Sequence, residues 1–176
     1  MKKTFLILAA IIMIFLISKT NYSEEIIIPN DSIRIRVIAN SNSEYDQKLK
    51  KNVRYSIQKQ LSEMLKDASD IDEVREILKN NLGNIEYTVE KVFEKNKYNN
   101  SFEVKYGYNF FPKKIYKGIE YDEGTYESIV IKIGESKGDN WWCVLFPPLC
   151  LMDEEEEQME DVEYKSFIKE IIDKYF

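Results

Sequence analysis

The stretch Ser32 to Gln47, "SIRIRVIANSNSEYDQ", changes its hydrophobic period halfway along, and that change decides the fold. Ile33, Ile35, Val37 and Ala39 alternate with Arg34 and Arg36, a period of two that predicts a half-buried strand. Asn40 to Ser43 are turn formers, and Ser43 followed three positions later by Asp46 makes a capping box opening a helix. Leu49, Val53, Ile57, Leu61 and Leu65 then recur every fourth position, while Lys48, Lys50, Lys51 and Gln58 fall on the outer face. This spacing predicts one amphipathic helix over roughly Glu44 to Lys66.

Downstream, Ser69 or Asp70 with Asp72 and Glu73 signals the start of a shorter helix carrying Ile71, Val74, Leu78 and Leu82, with Gly83 as its expected end. The pattern resumes with Ile85, Val89, Val92 and Phe93. It is read as a further helix, although "IEYTVEKVF" is rich in branched and aromatic residues that also suit a strand. In the second half, Phe102, Val104, Tyr106 and Tyr108 alternate with Glu103 and Lys105, and Ile129, Ile131 and Ile133 alternate with Ser128 and Lys132. Both segments read as strands. Pro112, Gly118 and Gly124 lie at turn positions between them, which favours an antiparallel meander. After the acidic run Asp153 to Glu157, the residues Phe167, Ile168, Ile171, Ile172 and Tyr175 stand at helical spacing and predict a docked terminal helix. Strand, helices and then several strands predict an α+β fold, with a mixed or antiparallel sheet packed on one face by helices. A chain of 176 residues accommodates one such domain.

Upstream, Lys2 and Lys3 precede an unbroken apolar run from Phe5 to Ile17, the layout of a secretory signal. As a helix the run reaches about 20 Å, short of the ~30 Å hydrocarbon core of a bilayer. No A-x-A cleavage pattern follows it, so a cleaved signal peptide and an uncleaved membrane anchor both stay open for residues 1–25, linker included. In either case the flanking lysines stay in the cytosol, and residues 26–176 form the extracytoplasmic domain.

Several chemistries are disfavoured by composition. The chain has no histidine, which removes the commonest general base and the commonest nitrogen metal ligand, and a net charge of -6 argues against a nucleic-acid interface. Two sulfurs cannot make a structural zinc site, and no P-loop spacing occurs. Carboxylate pairs involving Asp122, Glu123 or Asp139 carry no specific signal for glycosidase chemistry. The acidic run lacks the spaced ligands of an EF-hand. No catalytic template and no cofactor is specifically supported, and an enzymatic reading would need Cys143 as a free nucleophile.

The densest cluster is "GDNWWCVLFPPLC", residues 138 to 150, which holds both cysteines and both tryptophans of the chain. Outside the cytosol Cys143 and Cys150 can form a disulfide, which would close a small loop and contribute roughly 2 kcal/mol; two buried thiols are the alternative. Trp141 and Trp142 are adjacent, so on a strand they point to opposite faces. Either one is presented to a partner, as interface tryptophans are, or it lies under the terminal helix. Pro147 and Pro148 end strand pairing and hold Phe146 and Leu149 in a fixed shape.

Together, "RIRVIANSNSEYDQKLKKNVR", "YNFFPKKIYKG", "EGTYESIVIKIGE" and "GDNWWCVLFPPLC" in this order resemble the stage II sporulation protein R family, over about Ser32 to Asp153. The resemblance implies a protein exported from the forespore into the septal intermembrane space, secreted or N-terminally anchored. There it would act on a membrane-embedded aspartic protease of the mother cell that processes pro-sigma-E. It also implies that Asn140, Trp141, Trp142, Phe146, Pro147, Pro148, Arg34, Asn40 and Ser41, with the two cysteines, are motif positions and candidates for partner contact. Ser136 interrupts the glycine-rich loop of the family pattern. The competing reading is an exported peptidoglycan-binding module that stacks its aromatic residues on glycan.

Overall fold

The computed structural model describes residues 26, 28–149 and 161–175. The apolar amino-terminal run, Cys150 and the acidic run lie outside them. Along the chain come β1 (Ile33–Ile38), α1 (Glu44–Leu65), α2 (Ile71–Asn80), α3 (Leu82–Lys95), β2 (Phe102–Phe111), β3 (Lys114–Tyr116), β4 (Ile119–Tyr121), β5 (Gly124–Ile133), β6 (Asn140–Phe146) and α4 (Asp161–Tyr175). The fold is α+β in one domain.

The main sheet has the order β2-β5-β1-β6. It is mixed: β1 runs parallel to β5, with Arg34 opposite Ser128, and antiparallel to β6, with Ile35 opposite Cys143. The meander expected between Phe102 and Ile133 has a different form. β2 and β5 pair directly along ten residues, and the chain between them makes a separate two-stranded sheet, β3–β4. Its turn is two residues long, with Lys117 and Gly118 both at positive φ (47° and 71°), the conformation that matches the twist of a tight hairpin.

Helices α1, α2 and α3 cover the face of the sheet that carries Ile33, Ile35, Val37, Ile129, Ile131 and Ile133, all of them buried. They meet Leu49, Val53, Ile57, Leu61, Val74, Leu78, Ile85 and Val89 from the helices. Each fully buried aliphatic side chain of this kind is worth about 1.5–3 kcal/mol. Arg75 of α2 fastens this layer by donating from Nε to both oxygens of buried Glu127, at 3.0 and 2.8 Å, while Tyr106 donates its hydroxyl to the same carboxylate.

The opposite face carries a second, smaller core. Ile119 of β4, Val144 of β6, Leu149, and Tyr164 and Ile168 of α4 form it together with Ile28. The terminal helix is thus docked, as its spacing predicts. Its presence corrects the half-buried reading of β1, because a strand central in the sheet and covered on both sides has no solvent face. Arg34 is only 4% exposed.

Three local expectations also need correction. Lys50 does not lie on the outer face of α1 but is buried, because it turns toward the sheet end and donates to Asp139 O at 3.0 Å and Gln47 Oε1 at 2.7 Å. Gly83 does not end a helix. The stop is Asn81, whose N–H bonds Leu78 O and whose Nδ2 bonds Ile77 O, and Gly83 falls in the first turn of α3, where its backbone N–H needs no intrahelical acceptor. The capping box is half realised. Ser43 Oγ accepts from Asp46 N at 3.2 Å, but the Asp46 carboxylate does not return the bond; Ser43 N goes to Ser41 Oγ instead.

Candidate functional site

Strand β6 brings the motif residues into one place. Asn140, Trp142 and Val144 share the sheet face of Arg34 and Arg36, whereas Trp141, Cys143 and Leu145 share the helix face. The two indoles therefore point apart, as adjacent strand residues must. Neither is fully buried, and each is covered by an arginine: Cζ of Arg54 of α1 lies 5.0 Å from the Trp141 ring centre, and Cζ of Arg36 lies 4.2 Å from that of Trp142. Phe111 meets Trp142 edge-on at 5.0 Å. Both tryptophans nevertheless line one cavity.

That cavity, about 340 Å³, straddles β6, the end strand of the described sheet. The two tryptophans, Asn140 and Arg34 line it, and all four are candidates on sequence grounds. It is completed by residues that the sequence does not single out: Arg54 from α1, Lys114 and Tyr116 from the hairpin, and Tyr164 from α4. Their signal is faint. Arg54 stands in one of the family segments and Lys114 and Tyr116 in another, but only the fold brings them to β6.

Arg34 reaches into this region beneath two rings. Its Cζ sits 3.2 Å from the Tyr126 ring centre and 5.6 Å from that of Phe111, and Nε donates to Ser32 Oγ at 3.4 Å. Burial lowers the pKa of this guanidinium from its ordinary value, and Tyr126 works against that shift. The group stays charged at any ordinary pH. Burial likewise lowers the pKa of Arg36. Arg36 Nε and Asn140 Oδ1, on the same face as Trp142, are buried without a hydrogen-bond partner among the described residues.

Asn40 and Ser41 occupy a different place. They hold the carboxylate of Asp46: Asn40 Nδ2 donates at 2.8 Å and Ser41 Oγ at 2.5 Å, and Tyr98 donates its hydroxyl from the far side at 2.8 Å. Burial pushes the Asp46 pKa up, but the bonds from Ser41, Asn40, Tyr98 and Ser43 outweigh it, and the carboxyl titrates below the usual aspartate range. Asn40 Oδ1 also accepts from Glu135 N at 2.9 Å, and Lys137 N and Gly138 N bond to Asn40 O and Ala39 O. The loop before α1 and the loop before β6 are thereby locked together. Gly134 (φ +54°) and Gly138 permit this approach; a Cβ on either would come within 2.3 Å of Asn40 Oδ1 or Ser41 O respectively. These interactions fix where β6 begins.

At the other end of β6, Phe146 and Pro147 are buried and Pro148 is half-buried, with Phe146 edge-on to Tyr175 of α4 at 5.2 Å. The Phe146–Pro147 peptide bond is cis. Cys143 is half-buried and disulfide-bonded, while Cys150 falls outside the described residues. Among the described residues no cluster of cysteine, aspartate and glutamate is placed to hold a metal ion, and no helix is long and apolar enough to cross a membrane.

Comparison with known proteins bears on this arrangement. The family described as stage II sporulation protein R matches residues 29–156. Stage II sporulation protein R of Bacillus subtilis (strain 168) is 39% identical over 131 residues, which are 74% of this chain and 58% of that protein, so the chain spans little more than half the length of that relative. No solved structure matches. The matched span runs from before β1 to beyond β6 and so takes in every cavity-lining residue named above except Tyr164, together with the loops that position β6. The chain belongs to the stage II sporulation protein R family of sporulation proteins.

Proposed function

We propose that this chain is an exported sporulation signal that does no chemistry itself and acts by docking on a partner through the cavity around β6. The partner is a membrane-embedded aspartic protease of the mother cell, and the outcome is processing of pro-sigma-E. The chain would leave the forespore through its apolar amino-terminal run and work in the septal intermembrane space.

The observation that carries this reading is the convergence of Trp141, Trp142, Arg34 and Asn140 on one cavity. Tryptophan and arginine are enriched among the residues that dominate binding energy at protein interfaces, tryptophan because it buries a large area with few rotamers to freeze and arginine because its planar guanidinium stacks on rings and donates in a fixed fork. The unpartnered Arg36 Nε and Asn140 Oδ1 add to it, since local rules of stability are broken chiefly at functional sites. A disulfide between Cys143 and Cys150 would stiffen the same wall. For such a ligand to switch a protease on, it must bind the active form more tightly than the resting one.

The test is coexpression with the protease and its substrate, following substrate cleavage. Trp142→Ala, in protein that remains folded and exported, is expected to lower cleavage at least about tenfold. Normal cleavage would remove the cavity from the contact. Retention of the purified chain on peptidoglycan, without binding to the protease domain, would favour the glycan-binding alternative.

A further inference from the structure

The charge of the cavity wall runs against the charge of the chain. The protein carries a formal net charge of -6, yet the charged residues lining the cavity are Arg34, Arg54 and Lys114, and no aspartate or glutamate among the described residues joins them. Arg34 is the telling member. It is 4% exposed, and no carboxylate of the described residues lies within ion-pair distance of it; Asp122 acts on it only from further away. The rings of Tyr126 and Phe111 offer a cation favourable faces, but a buried charge with no carboxylate of the described residues in contact is an expensive arrangement. A ligand that brings a negative group would relieve it.

The rest of the wall decides what kind of negative group. Trp141, Trp142, Phe111 and Tyr116 give the cavity large apolar surfaces, and 340 Å³ is room for a drug-sized ligand, far more than a lone carboxylate fills. A free small anion would satisfy Arg34 and Lys114 and leave the indoles uncovered. An acidic side chain flanked by aromatic or apolar neighbours satisfies both.

We infer that the cavity recognises an acidic peptide segment of the partner, a carboxylate seated toward Arg34 and Lys114 with apolar side chains against the tryptophans. The inference rests on reading the cavity as a docking site and adds the chemistry of what docks.

Both tryptophans of the chain line the cavity, so their fluorescence reports its occupation directly. The probes are two blocked tripeptides, phenylalanine-glutamate-phenylalanine and phenylalanine-glutamine-phenylalanine, titrated into the full chain at about 0.05 M and about 0.5 M salt. The glutamate peptide is expected to bind roughly tenfold more tightly at low salt and to lose most of that preference at high salt. Lys114→Gln, a substitution on the short hairpin, is expected to weaken the glutamate peptide about threefold and leave the glutamine peptide unchanged; Arg34→Gln should weaken it further. Equal binding of the two peptides, or binding of neither, overturns the inference. Displacement by acetate at matching concentration would make the cavity a simple anion site and overturns it too. Binding seen only after Asp153, Glu154, Glu155, Glu156 and Glu157 are all changed to glutamine would make this chain's own acidic run the occupant, and the partner segment would again be ruled out. Failure in these titrations overturns the inference and leaves the protease reading standing, whereas normal substrate cleavage by cavity variants that have lost peptide binding would remove the cavity from the contact and sink both.

Discussion

Tyr98, just beyond α3, donates its hydroxyl to Asp46 Oδ1 in the first turn of α1, at 2.8 Å, and so ties the two ends of the helical layer together. The carboxylate is the common acceptor for Tyr98, Asn40 and Ser41. Asp46→Ala leaves three donors without their acceptor and is expected to cost about 2–4 kcal/mol, read as a lower urea midpoint. The pH dependence has a definite sign. The folded-state pKa lies below the unfolded one, so the contribution is complete above the ordinary aspartate value and is lost as pH falls through the folded-state value. Acid unfolding of Asp46→Asn, which lacks this group, should converge with that of the parent chain as pH falls.

The loop from Gly134 to Gly138 should respond to substitution in opposite directions at neighbouring positions. Gly134→Ala and Gly138→Ala each push a methyl into the loop before α1 and are expected to lose about 2 kcal/mol. Ser136, at φ 56°, holds a left-handed conformation that a side chain resists. Ser136→Gly is expected to gain about 0.5 kcal/mol, the relief of that strain less the added freedom of the unfolded chain. Thermal melts of the three proteins check both signs.

Phe146 and Trp142 should separate stability from contact. Phe146 is 4% exposed and packs under Tyr175, so Phe146→Ala is expected to cost about 3–5 kcal/mol. Trp142 is half-buried, and its removal should cost clearly less. Urea titration of both variants shows which of them can be interpreted in a cleavage assay.

The state of the two cysteines can be read by mass. Protein recovered from outside the cytosol should take up no iodoacetamide until it is reduced, and then two equivalents; its stability should fall by roughly 2 kcal/mol on reduction. Uptake by the unreduced protein would refute a Cys143–Cys150 bridge.

What can be read from the chain is local, and what cannot is mostly long-range. The alternation of Ile33, Ile35 and Val37 and the four-residue spacing from Leu49 to Leu65 are nearest-neighbour patterns, and both elements form where those patterns lie. The parallel pairing of β1 with β5 leaves no trace in either segment alone, because register depends on which strands meet. Arg34 reads as a solvent residue since the rings that cover it, Tyr126 of β5 and Phe111 of β2, come from strands far along the chain. Lys50 misleads for a similar reason: its acceptor, Asp139 O, belongs to a loop far along the sequence. At the site, the motif segment supplies the tryptophans and Asn140, but Arg54, Lys114 and Tyr164 join them only through tertiary packing.

The central strand has a consequence for timing. β1 is among the first segments to leave a ribosome, yet both its neighbours in the sheet, β5 and β6, lie more than half the chain away. A polypeptide delivered head first must keep this strand waiting until Phe146 has emerged, and topologies dominated by such distant pairings assemble slowly. The indole-lined cavity is therefore among the last features to exist, and a chain truncated before Phe146 lacks it altogether.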